Sequence, residues 1–314
     1  MKFHQLNIYK QSIFFFYTMN MNMNTNIIIA KKYKVLALVG KGQFGEVNKG
    51  SCLKTQKIIA IKMERKDAPY RMLKHEATVL NYLINEKCSI NIPKIFYYGS
   101  HGPYMCIVTS FFSEGSLDSL KNELTLNEKI KWWNTAVDIL SHVHEAGIVH
   151  RDIKPHHFMR NENHDWFLID FGLATTYLME KDQEQHIEER DTDHIIGSPN
   201  YVSWFVHHGK DAVRRDDFLS LIYVLWELLH GSFLTDLDTL PKIMCITSIH
   251  DEFNVWLRNQ KEFDRLQRLL SLLPRQEDMK MMMNTFLMSL LTHAQHLSFK
   301  EKPIYLTFTV HLHF

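Results

Sequence analysis

Two aspartates in one short stretch are the residues of this sequence best suited to chemistry. Asp152 follows a His-Arg pair, and Asp170 opens an Asp-Phe-Gly triplet 18 positions later. Apolar, strand-like runs lie beside them at 148–149 and 166–169. Either carboxylate alone would most simply be a turn or capping residue. Both together, in this order and context, form a specific pattern that indicates a reaction site.

The pattern resembles the catalytic loop and the metal-binding turn of protein kinases. The resemblance implies transfer of the γ-phosphoryl group of ATP, which needs positioning and charge neutralisation more than covalent catalysis. Asp152 is then expected to accept or orient the proton of the substrate hydroxyl, and Lys154 to reach the γ-phosphate. Asp170 is expected to hold a divalent cation that bridges the phosphates. Asp152 and Lys154, together with Lys62, are the predicted catalytic residues.

One position departs from the kinase pattern. Five residues after the catalytic aspartate the family carries an asparagine, whose side-chain oxygen binds a second Mg²⁺, and here that residue is His157. Mg²⁺ prefers oxygen ligands, whereas imidazole nitrogen suits Zn, Mn or Fe better. Two interpretations stay open. Either His157 is a metal ligand, with Mn²⁺ as an alternative to Mg²⁺, or it fills the space and hydrogen-bonds the loop.

A glycine-rich segment predicts where the phosphates of ATP bind. It reads G-x-G-x-x-G-x-V after an alternating strand that begins at Tyr33. Dinucleotide-binding folds place such glycines at a strand-to-helix turn, but here two further strands follow, at 47–52 and 57–62. A hairpin whose glycine-rich tip covers phosphates is the kinase arrangement. The predicted ATP-binding residues of this segment are Gly40, Lys41, Gly42, Gln43, Phe44, Gly45, Glu46 and Val47.

The strand that ends at Ala60-Ile61-Lys62 resembles the kinase strand that carries the ATP-binding lysine. The resemblance places Ala60 in the nucleotide site and Lys62 on the α- and β-phosphates. It also implies a glutamate partner for Lys62 on the next helix. Apolar spacing predicts that helix over 70–84, and Glu76 lies on it 14 positions after Lys62.

A strand over 104–108 leads into residues that resemble the hinge between kinase lobes. The resemblance makes Thr109 the gatekeeper of the nucleotide site and brings backbone groups of Ser110 and Phe112 to the adenine. A long helix with apolar residues at helical spacing is predicted over 127–146.

The region after Asp-Phe-Gly indicates which group of protein kinases the chain resembles. Most kinases have Ala-Pro-Glu there, but segments 197–203 and 214–221 of this chain are similar to the casein kinase 1 group. Within that group, 60–64 and 72–76 are most similar to tau-tubulin kinases. The group's end motif has its counterpart at 297–305.

The group resemblance has consequences for the substrate and for the catalytic loop. It implies that Asp217 ties down the backbone of the catalytic loop. Lys154 in that loop points to a serine or threonine hydroxyl of a protein as the acceptor. The group tends not to need phosphorylation of the activation segment, where Thr192 is the only threonine near the tip.

Composition excludes several classes of protein. A formal net charge of +1 argues against nucleic acid or an anionic membrane as the main partner. The four cysteines form no C-x-x-C pair, which favours a reducing, intracellular compartment, cytoplasmic or nuclear. The 314 residues, 45% of them hydrophobic, suffice for a two-lobed domain.

We therefore predict an α+β fold of the bilobal kinase type over 31–305. A small antiparallel β lobe with one helix spans 31–109, a large and mostly helical lobe spans 113–305, and ATP lies between them. Residues 1–30 are predicted to be a disordered extension whose apolar run is too short to span a membrane. Residues 306–314 are predicted to be a C-terminal tail.

Two functions stay open from the sequence alone. One is an active serine/threonine protein kinase, and the other is a pseudokinase that binds nucleotide or serves as a scaffold because His157 replaces the asparagine. A nucleotide-binding oxidoreductase is excluded, since the β-α-β context of its glycine motif is missing. The sequence indicates neither the protein substrate nor the oligomeric state.

Overall fold

A computed structural model describes residues 27–42, 45–69, 71–86, 91–179, 182–231 and 278–305. They divide into two compact units. The first comprises the described parts of Met1–Asn81 and Pro93–Phe111, and the second those of Tyr82–Ile92 and Phe112–Phe314. The second division falls after Phe111, and residues 82–92, which lie within the predicted small lobe, group with the second unit.

The first unit is built on an antiparallel sheet with the strand order β1-β2-β3-β4-β6-β5. Its strands are β1 (Ile28–Ile29), β2 (Tyr33–Gly42), β3 (Gly45–Cys52), β4 (Ile58–Arg65), β5 (Ile95–His101) and β6 (Tyr104–Ser110). Alternate residues of β4, namely Ile59, Ile61 and Met63, are buried, as the two-residue period of a strand requires. With Tyr33 and Val108 they belong to one hydrophobic core.

Strand β1 lies before residue 31, where the domain was predicted to start. Ile28 and Ile29 pair with Lys34 and Tyr33, and Ile29 is fully buried. The chain reverses through Ala30 and Lys31, which have φ angles of +50° and +55°. Two successive positive φ angles make a type I′ hairpin turn, which normally carries Asn-Gly. The prediction for 1–30 was therefore wrong at its C-terminal end, because Ala-Lys is not a turn signal.

The helix predicted over 70–84 is α1 (Met72–Asn85). Its first turn is capped from a neighbouring strand, since Glu64 Oε1 accepts hydrogen bonds from the amides of Met72 at 3.0 Å and Leu73 at 3.4 Å. A carboxylate at this end of a helix also interacts favourably with the helix dipole. The cap fixes where α1 begins relative to β4, and so where Glu76 lies relative to Lys62.

The second unit is rich in helices. They are α2 (Leu117–Leu120), α3 (Leu126–Glu145), α4 (Trp204–His207), α5 (Arg214–His230) and α6 (Asp278–His296). Short strands join into three small sheets: β10 (Trp166–Leu168) with β9 (Phe158–Arg160) and β7 (Gly115–Ser116), β11 (Thr175–Thr176) with β8 (Ile148–Val149), and β12 (Leu178–Met179) with β13 (Asp182–His186). Within the described ranges, no helix has the length and apolar character needed to cross a bilayer.

Helices α3 and α5 form the core that positions the predicted catalytic loop. Thr125 and Glu128 cap α3 reciprocally, at 3.3 Å and 2.8 Å, in the capping-box arrangement. Gly147, with φ of +79°, follows the C-cap Ala146 of α3 and turns the chain into β8. Every residue of α5 from Arg215 to Leu228 is buried, as expected for a helix at the centre of a domain.

The predicted tail 306–314 and most of the predicted extension lie outside the described residues. The same holds for Gln43 and Phe44 at the tip of the glycine-rich hairpin.

Candidate active site

The sheet of the first unit aligns the residues predicted to bind nucleotide. Val47 pairs with Gly40 on one side and with Lys62 on the other. Two positions along, Ala60 pairs with Thr109. Residues that are distant in the sequence thus occupy neighbouring positions because the register of four strands places them there.

Lys62 and Glu76 form the ion pair that the sequence predicts. Lys62 Nζ donates to Glu76 Oε2 at 2.7 Å, and the Glu76 carboxylate is largely buried. A pair that water barely reaches is held more firmly than a surface pair. The lysine ammonium is therefore fixed over the sheet, at the end of the Gly40–Val47–Lys62 row.

An ion pair between its two strands and one glycine that no other residue can replace hold the glycine-rich hairpin together. Lys41 Nζ lies 3.0 Å from Glu46 Oε1, an exposed pair, and Gly42 pairs with Gly45. Gly45 has φ of +129°, and a Cβ there would lie 2.1 Å from the carbonyl oxygen of Met63. Only glycine lets β3 approach β4 this closely.

The three predicted hinge residues are divided between the units. Thr109 and Ser110 end β6, where the Ser110 hydroxyl accepts from the Lys94 amide at 3.2 Å. Phe112 belongs to the second unit, where its ring lies 4.6 Å from that of Phe167.

Asp217 holds the predicted catalytic loop of the second unit by its backbone. Its two carboxylate oxygens accept from the amides of His150 at 2.6 Å and Arg151 at 2.8 Å. Asp217 is almost fully buried, and charged acceptors make stronger hydrogen bonds than neutral ones. These bonds stabilise Arg151 at a φ of +67°, a conformation that only an over-determined loop maintains.

His150 joins the segment of Asp152 to that of Asp170. Its Nε2 lies 3.1 Å from the carbonyl oxygen of Ile169, and its Nδ1 lies 3.3 Å from the amide of Asp152. Because a carbonyl only accepts and an amide only donates, Nε2 carries the proton. Asp170 itself has φ of +64° and ψ of +69°, the left-handed conformation that aspartate tolerates better than most residues.

Asp152 is a buried carboxylate with one oxygen engaged. Lys154 Nζ donates to its Oδ2 at 2.8 Å and to Ser198 Oγ at 2.9 Å. Its Oδ1 is buried and has no hydrogen-bond partner among the described residues. Burial opposes ionisation, but the electrostatic interactions with His157 and Lys154 and the hydrogen bond from Lys154 keep the pKa of Asp152 below its usual range. Asp152 is therefore ionised at neutral pH and can accept a proton.

His157 lies between the two aspartates. Its Nδ1 is 2.8 Å from the carbonyl oxygen of Asp152, and its Nε2 is 3.6 Å from Asp170 Oδ2. Burial lowers the pKa of His157 to about 4, although both carboxylates act to raise it. The ring is thus neutral at pH 7, with its proton on Nδ1, because the carbonyl requires a donor. An unprotonated nitrogen and a carboxylate oxygen face each other, as two ligands of a cation do.

No three His, Cys, Asp or Glu side chains of the described part of the chain meet as a metal site. The Asp170–His157 pair fits a cation only if other oxygen ligands complete its coordination. Phosphate groups of a nucleotide would supply such oxygens.

The family model of the protein kinase domain matches residues 33–297, which is most of the 314-residue chain. The chain belongs to the protein kinase family. The reaction of protein kinases is transfer of a phosphoryl group from ATP to a protein substrate with the help of a divalent cation. The sheet-rich first unit and the helical second unit agree with that assignment.

Sequence reasoning missed two side chains that contact this kinase site. The Ser198 hydroxyl accepts a hydrogen bond from Lys154, 44 positions away. The motif that contains Ser198 did not predict a partner for this hydroxyl. His144 bonds Asp217 across 73 positions. The only sequence signal for His144 is a polar residue next to the apolar face of α3, beside Val143.

Gly197→Ala should lower the kcat of the kinase about 100-fold, the effect of moving a catalytic group by about 1 Å. Gly197 has φ of +107°, and a Cβ there would lie 2.3 Å from the carbonyl oxygen of Arg151. The segment that carries Ser198 would have to move away from the catalytic loop. Steady-state kinetics would measure the change.

Gly102→Ala is the matched control for this prediction. Gly102 also has a positive φ, +53°, but a Cβ there would meet no atom within 4 Å. Equal losses of kcat in both variants would show that backbone strain, and not the contact with Arg151, causes the defect.

Proposed function

We propose that this protein is an active serine/threonine kinase of the casein kinase 1 group. The observation that carries the proposal is the position of Lys154, whose ammonium joins Asp152 Oδ2 and Ser198 Oγ. It leaves Asp152 Oδ1 for the proton of a substrate hydroxyl and puts a positive charge beside the oxygen that attacks. A short aliphatic hydroxyl, that of serine or threonine, suits a carboxylate that is this deeply buried.

The rest of the site supports activity. Lys62 and Glu76 are paired, Asp217 holds the loop, and Asp152 is ionised at neutral pH. A site that had lost its function would be under no requirement to keep these three arrangements together. The sequence similarity of 197–203, 214–221 and 297–305 to casein kinase 1 members supports the choice of group.

Asp170 and His157 would hold the divalent cation together with oxygens of ATP. When bound, the cation neutralises charge on the phosphates. The Asp170 carboxylate suits Mg²⁺ and Mn²⁺ alike, whereas the unprotonated Nε2 of His157 favours Mn²⁺. We propose that the enzyme uses Mn²⁺ at least as well as Mg²⁺.

A pseudokinase is the alternative, and His157 is the observation that favours it. Its ring is buried and fills the position of the asparagine, so the second cation of active kinases loses an oxygen ligand. In that case the protein would bind nucleotide or act as a scaffold with little transfer. Free, buried thiols at Cys52 and Cys106 support an intracellular location, cytoplasmic or nuclear, for either function.

Replacing His157 with asparagine should change the metal preference. We expect the ratio of the transfer rate in Mn²⁺ to that in Mg²⁺ to fall about tenfold, the usual scale of a change at one metal contact. Transfer of radiolabelled phosphate to casein would measure the rates. The affinity for Mn²⁺ in the presence of a non-hydrolysable ATP analogue, measured by electron paramagnetic resonance, should fall as well.

His156→Asn is the matched control. His156 is the adjacent histidine, but it is exposed and lies 3.3 Å from Asp118, so neither readout should change. An unchanged metal ratio in His157→Asn would refute the role of His157 as a ligand. No transfer by the wild type in either metal, with transfer restored by His157→Asn, would establish the pseudokinase.

A further inference from the structure

A buried histidine outside the reaction centre connects the end of the described chain to the catalytic loop. His144 is fully buried on α3. Its Nε2 lies 3.0 Å from Asp217 Oδ2, and its Nδ1 is hydrogen-bonded to the hydroxyl of Tyr305. The rings of His144 and Tyr305 are 5.7 Å apart.

The protons in the hydrogen bonds between Tyr305, His144 and Asp217 can be assigned. Burial lowers the pKa of His144, against the raising effect of Asp217, so its ring is neutral at pH 7. Burial acts to raise the pKa of Asp217, but the hydrogen bond from His144 and the contacts with His150 hold it below the usual range. An ionised Asp217 only accepts, so His144 Nε2 donates to it and His144 Nδ1 accepts from Tyr305.

The chain of bonds ends at the backbone that precedes the catalytic aspartate. Asp217 accepts from the amides of His150 and Arg151. Tyr305 is thus connected to Arg151, the residue next to Asp152, through His144 and Asp217. The carbonyl oxygen of His144 also accepts from the Tyr177 hydroxyl at 2.5 Å, which holds the backbone of His144 in place.

Residues Leu297–Tyr305, which we call the C-terminal strap, are held against the second unit along their length. Arg214 donates to the carbonyl oxygen of Lys300 at 2.6 Å, and Arg215 to that of Leu297 at 3.2 Å. The amide of Ile304 donates to His293 Nε2 at 3.0 Å. These bonds fix the strap independently of the Tyr305 hydroxyl.

The strap also contacts the activation segment. Lys300 forms an ion pair with Glu188, and the ring of Phe299 lies 5.2 Å from that of His186. His186 in turn packs against Tyr177, with ring centres 5.1 Å apart. One segment therefore contacts the activation segment directly and the catalytic loop through His144 and Asp217.

We infer that Tyr305 is a positioning residue for phosphoryl transfer, acting through His144 and Asp217 on the catalytic loop. The inference rests on the proposed function only where it concerns the rate. The hydrogen-bond chain to the loop exists whether or not the protein transfers phosphate.

Tyr305→Phe tests the inference with little disturbance of packing. The ring and its contact with Phe218, at 5.7 Å between centres, are kept, and only the hydroxyl is lost. His144 Nδ1 is then a buried acceptor without a donor. We expect amide hydrogen exchange of the peptide over 148–152 to become about tenfold faster, and kcat to fall about tenfold with an unchanged KM for ATP, as for the loss of a supporting partner.

Two further variants give the control and the mechanism. Ile304→Ala shortens the neighbouring side chain of the strap, which is 57% exposed, keeps the amide that donates to His293 Nε2, and should change neither readout. In a His144→Phe background, Tyr305→Phe should add nothing, because residues that act in series are not additive.

Two results would overturn the inference: unchanged exchange of 148–152 in Tyr305→Phe, or a fall in kcat of the same size in the His144→Phe background. An inactive wild type would refute the proposed kinase function, and hydrogen exchange would still decide the role of Tyr305.

Discussion

Asp152→Asn should abolish detectable phosphate transfer while the protein stays folded. Asparagine has the shape of aspartate but cannot accept the proton of the substrate hydroxyl. Loss of a general base typically lowers kcat by about 10²- to 10⁴-fold. Transfer of radiolabelled phosphate to casein and to the protein itself would measure the loss, and circular dichroism would verify the fold.

The burial of Asp152 sharpens this prediction. Its Oδ1 is a buried atom with no partner among the described residues, so an amide placed there breaks no existing bond. Lys154 loses a charged partner but keeps Ser198 Oγ at 2.9 Å. The variant should therefore lose activity while its circular dichroism spectrum stays that of the wild type.

Asp138→Asn is a suitable control for the chemistry. Asp138 lies on α3, is mostly exposed, and is 3.5 Å from His142, so its charge contributes little to stability. Transfer by Asp138→Asn should equal that of the wild type. Residual transfer by Asp152→Asn within a few-fold of the wild type would contradict the assignment of Asp152.

The positions of the site residues along the chain could be predicted, because local motifs carry them. The strand that bears Lys62, the helix that bears Glu76, and the two aspartate motifs each depend on residues within a few positions. Their spacing also predicts the Lys62–Glu76 pair, since one strand and one helix suffice to bring the two together.

Most contacts that join distant parts of the chain could not be predicted, and the contact of Asp217 with the catalytic loop was implied only by the family resemblance. Ser198 meets Lys154, and Tyr305 meets His144 from 161 positions away, only after the second unit is assembled. The ring nitrogen of His157 that carries the proton also cannot be predicted from the sequence, because it depends on the contact with the carbonyl oxygen of Asp152. Strand β1 was missed for a local reason, because Ala30 and Lys31 make a turn that other residues usually make.

Asp217→Asn should lower the free energy of unfolding by about 3 kcal/mol, the usual cost of leaving buried donors without a charged partner. Asp217 accepts from three donors: His150 N, Arg151 N and His144 Nε2. Asparagine offers one oxygen and sets its own N–H groups against one of these donors. Urea denaturation monitored by tryptophan fluorescence would measure the change.

Asp216 is a control at the adjacent position with the opposite electrostatics. Its oxygens accept from Ser203 Oγ at 2.5 Å and the Val213 amide at 2.9 Å. Burial raises the pKa of Asp216, whereas the pKa of Asp217 is lowered, against burial, by its bonds to His144 and His150. Asp216→Asn should therefore cost clearly less stability at neutral pH than Asp217→Asn.

The two aspartates should also respond to pH with opposite sign. A lowered native pKa stabilises the fold above the unfolded pKa of about 3.9 and loses that effect as pH falls through the native value. The stability difference between wild type and Asp217→Asn should then stay constant from pH 7 to about 4.5 and shrink below about pH 4. A raised native pKa destabilises the fold at high pH, so the wild type should gain on Asp216→Asn as the pH falls.

Parallel pH curves for the two variants would contradict these assignments. They would mean that the hydrogen bonds from the two backbone amides and from His144 do not lower the native pKa of Asp217 relative to that of Asp216. Opposite slopes, in contrast, would show that one of two adjacent buried carboxylates is kept ionised by the loop that it holds. The Tyr305–His144 hydrogen bonds orient this carboxylate of Asp217. The stability of the protein at low pH and the geometry of its catalytic loop therefore depend on the same side chain.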